Sequence, residues 1–208
     1  MQISVDKENM RVEDGKLIID ITSDIEKVLN ASKVQLGTLK EGAIFKIGNK
    51  EFIVLEHTEK GVGIIQKNFV FSCKFGTCAD WRISGVRYNL NNGPYYDSIA
   101  KEVGADNIIP MERDLTSWDG LKDYGTCVDK ITILSAPEYS KFHKILGLKS
   151  NYPDWQWLLT PYSTPSNDYP RYVCIVDNDG SLNWTGCDCC NSFRPFLILN
   201  PSVLVVLV

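Results

Sequence analysis

Histidine is scarce. His57 and His143 are the only two in 208 residues. A metal centre or proton relay built on several imidazoles therefore has no material. The two stand far apart, one on a strand-like and one on a helix-like stretch. Neither has a cysteine or serine constellation beside it, so both read as surface or packing residues, and Cys–His nucleophilic catalysis has no support. Positive charge is not in excess either: 22 Lys and Arg face 26 Asp and Glu, for a net charge of −4. That excludes the basic footprint of a nucleic-acid or anionic-membrane binder. Long apolar runs are also missing. The longest, PSVLVVLV at the C-terminus, falls far short of the ~20 residues a bilayer span needs and reads as a buried final strand. The N-terminal MQISVDKENMRVEDG has no apolar export core. Localisation stays open, because lysis or virion assembly also delivers proteins outside a cell.

Cysteine, by contrast, is plentiful. There are seven, an odd number, so a fully paired intrachain disulfide framework is impossible. Without an export signal, reduced thiols are the default. Three of them, Cys187, Cys189 and Cys190, crowd into "NWTGCDCCNSFRPF".

The chain changes texture near Leu36. Residues 1–35 read as an N-terminal arm, with a strand-like LIIDIT at 17–22 and a helix-like SDIEKVLNAS capped by Ser23. Residues 36–208 read as one domain of α+β class. Three strand-like runs, AIFKI, EFIVLEH and GVGIIQKNFVF, are punctuated by Gly48-Asn49 and Lys60-Gly61. A helical stretch runs from Ser84 to near Gly104, interrupted at Gly93-Pro94. Residues 130–134 read as a strand, and Ala136 to Gly147 as a helix with Pro137 in its first turn. The last third is β again: WQWLLTPY, a hairpin in RYVCIVDNDGSLNW turning at Asn178-Asp179-Gly180, and FRPFLILN. Trp155 and Trp157 alternate on one strand and read as core, and Arg194 reads as the lock on the closing strand.

Taken in order, "GAIFKIGNKEFIVLE", "SGVRYNLNN", "DKITILSAPEY", "WQWLLTPYST", "RYVCIVDNDGSLNW" and "FRPFLILNPSVLV" resemble a bacterial and phage domain family of unknown function. Its members carry patterns such as "S.LR..LN", "WWLRSP" and "VRPAL.L", and the resemblance covers residues 38–206. It implies a C-type-lectin-like fold of antiparallel strands and two or so helices, close to the formylglycine-generating-enzyme branch. That branch includes the variable proteins of diversity-generating retroelements, whose hypervariable stretch lies just before the closing strand. Their Asn codons of the form AAC are copied with errors at adenine.

The resemblance gives the cysteine cluster a meaning. A TGC codon is reachable from AAC, so three cysteines in four positions fit a random draw of exposed thiols. Asp168, Tyr169, Asp177, Gly186, Asp188 and Ser192 are reachable outcomes too. Trp184 departs from the pattern, since TGG requires a change at the cytosine. The variable face implied here comprises Tyr162, Asp168, Tyr169, Arg171 and Asp177. It continues through Trp184, Thr185, Cys187, Asp188, Cys189, Cys190, Asn191 and Ser192. Its expected ligand is a protein or glycan on a bacterial cell surface, with the arm serving attachment or homo-oligomer formation.

Other readings of the cysteines stand beside this one. The spacing of Cys187, Cys189 and Cys190 is too tight for paired C-x₂₋₄-C zinc ligands, although Cys73 and Cys78 form a C-x₄-C elsewhere. A copper-loaded pair as in formylglycine-generating enzymes would need two cysteines flanking a groove. Cys189-Cys190 would be strained as a vicinal disulfide. Asp177-Asn178-Asp179-Gly180 looks like the start of a calcium loop but lacks the downstream Glu, so a tight turn is the reading. No metal, cofactor or catalytic residue is expected, and a non-diversified structural virion or envelope module is the remaining alternative.

Overall fold

The computed structural model describes residues 10–13, 16–19, 33–147 and 155–208. The helix-like stretch 23–32 lies outside them. Two short strands, β1 (Met10–Glu13) and β2 (Lys16–Ile19), pair as an antiparallel hairpin, and β9 (Met111–Asp114) pairs with β10 (Thr126–Asp129) in the same way.

The largest sheet begins where period-two alternation begins. In β4 (Ile44–Ile47) Phe45 and Ile47 are buried while Lys46 is exposed. Gly48 then turns the chain at φ +57° into β5 (Lys50–His57), and β6 (Val62–Gln66) returns, buried along its whole length. Gly61 sits at that return because a Cβ there would lie 2.5 Å from the Leu199 carbonyl oxygen. Four further strands complete the sheet: β3 (Lys33–Gln35), β8 (Ile108–Ile109), β15 (Phe196–Leu199) and β16 (Leu204–Leu207). The order is β3-β16-β4-β5-β6-β15-β8, antiparallel throughout. Residues 33–35, read from the sequence as the end of the arm, are thus an edge of the main sheet. Arg194 is buried and donates its Nε–H to the Gln66 carbonyl at 2.9 Å, fastening the entry to β15.

Helix boundaries follow the capping chemistry. Ser84 accepts the Arg87 N–H and starts α1 (Gly85–Asn91); Gly93-Pro94 breaks the chain and starts α2 (Pro94–Val103). Tyr95, Ile99 and Val103, four residues apart, form its buried stripe. In α3 (Ala136–Leu146) Ser135 and Glu138 form a reciprocal capping box, and Gly147 ends the helix in the left-handed region. The core between helices and sheets includes Trp81, Phe75 and Trp157, with ring centroids 5.9 and 5.5 Å apart in succession.

Three sequence expectations are corrected here. Residues 130–134 form no strand, only a bridge in which Thr132 and Phe196 exchange backbone hydrogen bonds. The cause is Asn91, whose side chain accepts the Lys130 and Ile131 N–H groups and donates to the Ile131 carbonyl, taking the groups a ladder would use. The C-terminal strand is not wholly buried: β16 lies between β3 and β4 with Val205 inside, while Leu204, Leu207 and Val208 are exposed. Trp155 precedes its strand and is 38% exposed, whereas Trp157 is fully buried and donates its indole N–H to the Cys73 carbonyl. The class is α+β, and among the described residues no helix is long and apolar enough to cross a membrane.

Candidate functional site

A second antiparallel sheet carries the site. It consists of β11 (Gln156–Pro161), β12 (Tyr172–Val176) and β13 (Leu182–Gly186). Val173 to Val176 are buried on both faces, so the hairpin is rigidly seated. Its turn is set by Gly180 at φ +84°, and the Gly180 carbonyl accepts the Tyr139 hydroxyl of α3 at 2.9 Å. The hairpin's two rings are Tyr172 and Trp184, and Trp184 is 47% exposed.

The register explains why rings converge there. Cys174 pairs with Trp184 and Tyr172 with Gly186, so Tyr172 and Trp184 lie diagonally on one face. Their centroids are 5.1 Å apart at 83°, edge to face. Tyr162, whose N–H donates to the Tyr172 carbonyl, places its ring 5.0 Å from Trp184 at 37°. Tyr169 stands 6.2 Å from Tyr172. The fifth ring comes from a distant loop: Trp118 N–H donates to the Pro161 carbonyl at 2.8 Å, and the indole is 54% exposed. These five rings line a cleft of about 410 Å³, within the usual range of small-ligand sites.

Asp119 supplies the cleft's charge. Its Oδ2 accepts the Ser163 hydroxyl at 2.5 Å and the Asn167 amide at 3.1 Å, and its Oδ1 accepts the Ser117 hydroxyl at 2.5 Å. Burial alone would raise the carboxyl's pKa, but the bonds from Ser117, Ser163 and Asn167 outweigh it and hold the group below the usual range. The side chain is therefore an oriented carboxylate at neutral pH.

The residues expected on the variable face divide three ways. Tyr162, Tyr169 and Trp184 meet in the aromatic cleft. Asp168, Arg171 and Asp188 flank a neighbouring depression that shares Tyr169 and Tyr172, where Arg171 lies 3.9 Å from Asp188. Asp177 is at the far end of the hairpin, accepting from the Asn178 N–H and the Asn183 amide as a turn does. Cys189 and Cys190 are exposed, and the half-buried Thr185 donates to Cys189 Sγ at 3.4 Å.

Cys187, Asn191 and Ser192 do not belong to an exposed face; all three are buried. Cys187 N–H donates to the Arg171 carbonyl, while its own carbonyl accepts from Gly76, so the turn is pinned from both sides. Asn191 sits in β14 (Cys190–Asn191), paired with β7 (Cys73–Lys74), and Ser192 is bridged to Gln156. Burial pushes the Cys73 thiol up to about 11, with Cys190 adding to it, and Cys174 up to about 12. Burial, then Asp188, also raises Cys187. Such thiols stay protonated at neutral pH and are poor nucleophiles and metal ligands. Among the described residues no group of three or more His, Cys, Asp or Glu is placed to hold a metal ion.

Trp118, Asp119, Asn167 and Tyr172 are site residues that the sequence reading did not assign. The one available signal was "SWDG": a large ring in a turn beside Asp and Gly, outside any strand or helix period, has no core to enter. Comparison of the chain with protein-family models, with curated proteins and with solved structures gives no match.

Proposed function

We propose that this chain is a ligand-binding protein rather than an enzyme, and that the aromatic cleft is its contact surface. The observation that carries the reading is the convergence of five aromatic rings, from three separate segments, on one open cleft. Exposed large rings are expensive to leave in water, and Tyr and Trp offer wide contact at low entropic cost. Loops and a hairpin end held by buried strands separate stability from specificity.

In this proposal the scaffold is C-type-lectin-like and the surface is diversified by a retroelement in a phage, prophage or bacterium. The partner is a protein or glycan on a bacterial cell surface. Exposure at Asp168, Tyr169, Arg171, Asp188, Cys189 and Cys190 supports their assignment to a tolerant surface, whereas Cys187, Asn191 and Ser192 fit the fixed scaffold.

Sequencing the coding region across many clones of the source population tests the diversification. Asn-codon-derived changes at the exposed positions, with Cys187 and the β12 core constant, are expected. A uniform sequence from Ser163 to Ser192 overturns it. Cell-surface binding by the wild-type chain, lost in Trp184→Ala, is the companion test of the cleft.

A further inference from the structure

We infer that the aromatic cleft recognises an N-trimethylammonium group carried by the ligand. The inference rests on the ligand-binding reading of this cleft and specifies its chemistry.

Three features select this cation. First, the rings do not form one flat platform. Trp184 and Tyr172 meet at 83°, Trp184 and Tyr162 at 37°, and Trp118 rises from a different segment. A sugar ring stacks best on one flat face, whereas a roughly spherical cation gains from several π faces turned toward it. Second, the one charged side chain on the lining is the Asp119 carboxylate; the other lining residues are the five rings and Asn167. The cleft is thus negative, with no cation of its own to neutralise.

Third, the carboxylate is already engaged. A carboxylate offers about four lone-pair sites, and the Ser117, Ser163 and Asn167 bonds occupy three of them. A primary ammonium or a guanidinium brings three to five N–H donors that each need an acceptor. A quaternary ammonium brings none. It takes the Coulomb attraction of a carboxylate whose hydrogen-bonding capacity is nearly spent, and its methyl groups pack on the rings. In the adjoining depression Asp168 and Asp188 oppose the single Arg171, so a phosphate attached to the cation gains nothing there.

Titration calorimetry on the full chain tests this. The probes are choline, N,N,N-trimethyllysine amide, phosphocholine and the neutral choline isostere 3,3-dimethylbutan-1-ol. Choline and trimethyllysine amide are expected to bind at least tenfold more tightly than the isostere, and phosphocholine no better than choline. Asp119→Asn should weaken choline at least fivefold more than it weakens the isostere. Tyr162→Ala should weaken all four. Tighter binding of trimethyllysine amide points to a methylated protein as the source, tighter binding of choline to a choline-bearing glycan or lipid. Equal binding of choline and the isostere, or no binding of any cation, overturns the inference. If that happens while Trp184→Ala still abolishes cell-surface binding, the cleft remains a binding site and only its chemistry is wrong. A glycan free of cationic groups that competes at this cleft would likewise sink the inference and leave the binding reading intact.

Discussion

The Asp119 carboxylate accepts the Ser163 hydroxyl at 2.5 Å, joining the loop that carries Trp118 to the chain just beyond β11. Ser163 is almost fully buried, so the bond is shielded on one side. Without it, the loop is held to that segment by the Trp118–Pro161 backbone bond, by Asn167 and by the Ser166 N–H donated to Asp123. Ser163→Ala is expected to cost about 1 kcal/mol in chemical denaturation. It should also raise amide exchange in residues 115–125 above that in β12. Equal exchange in both segments would show that the loop does not depend on this contact.

The same carboxylate predicts a pH response. Its pKa lies below the usual aspartate value in the folded chain, through the bonds from Ser117, Ser163 and Asn167 and against the effect of burial. A depressed acid contributes stability above its unfolded value of ~3.9, and loses it as pH falls through the lower folded value. The loop contact is therefore complete at neutral pH and persists below pH ~4. A titration of the Asp119 carboxyl followed by NMR checks this; a midpoint at or above ~4 contradicts it.

Arg113 and Glu138 form a forked pair under the start of α3. Nη1 donates to Oε1 at 2.7 Å, Nη2 donates to Oε2, and Arg113 is 6% exposed. Glu138 also closes the capping box with Ser135. Burial would raise its pKa, but the Arg113 bridge and the Ser135 bonds win and lower it. Glu138→Ala leaves a buried guanidinium without its partner, which costs about 3 kcal/mol. The loss should be largest at neutral pH. It should shrink as pH falls through the folded value, where the wild type loses the same interaction. A pH-independent difference in melting temperature would refute the assignment.

Sequence made the elements legible wherever one local rule governed them. The Ser84 start, the Gly93-Pro94 break, Pro137 in the first turn of α3, the Gly147 stop and the Gly180 turn all depend on residues within a few positions of each other. The site was legible only in part, because it depends on pairing. Tyr162, Tyr169 and Trp184, all named from the sequence, meet in one cleft. Trp118 and Asp119 come from a loop brought in by one backbone bond to Pro161, and no periodicity announces such a contact. The opposite failure is Cys187. The resemblance implied an exposed thiol, yet hydrogen bonds to Arg171 and Gly76 hold it inside. Lys130 to Leu134 has strand propensity, but a side chain 39 residues away in sequence, Asn91, takes its backbone groups.

Burial ranks the seven thiols, and that ranking is open to a direct reading. Cys189 and Cys190 are exposed; Cys73, Cys78 and Cys127 are half-buried; Cys174 and Cys187 are buried. Alkylation requires both access and thiolate. Cys73 and Cys127 are each pushed up to about 11, chiefly by burial, and Cys174 to about 12. A short pulse of iodoacetamide on the reduced native chain at pH 8 should therefore modify Cys189 and Cys190 first. Cys174 and Cys187 should react only after denaturant is added, together and with the loss of fluorescence from buried Trp157. Peptide mass spectrometry resolves the order. Early labelling of Cys187 would mean that the turn between β13 and β14 opens in the native state. It would return that residue to the exposed surface from which the hydrogen bonds to Arg171 and Gly76 remove it.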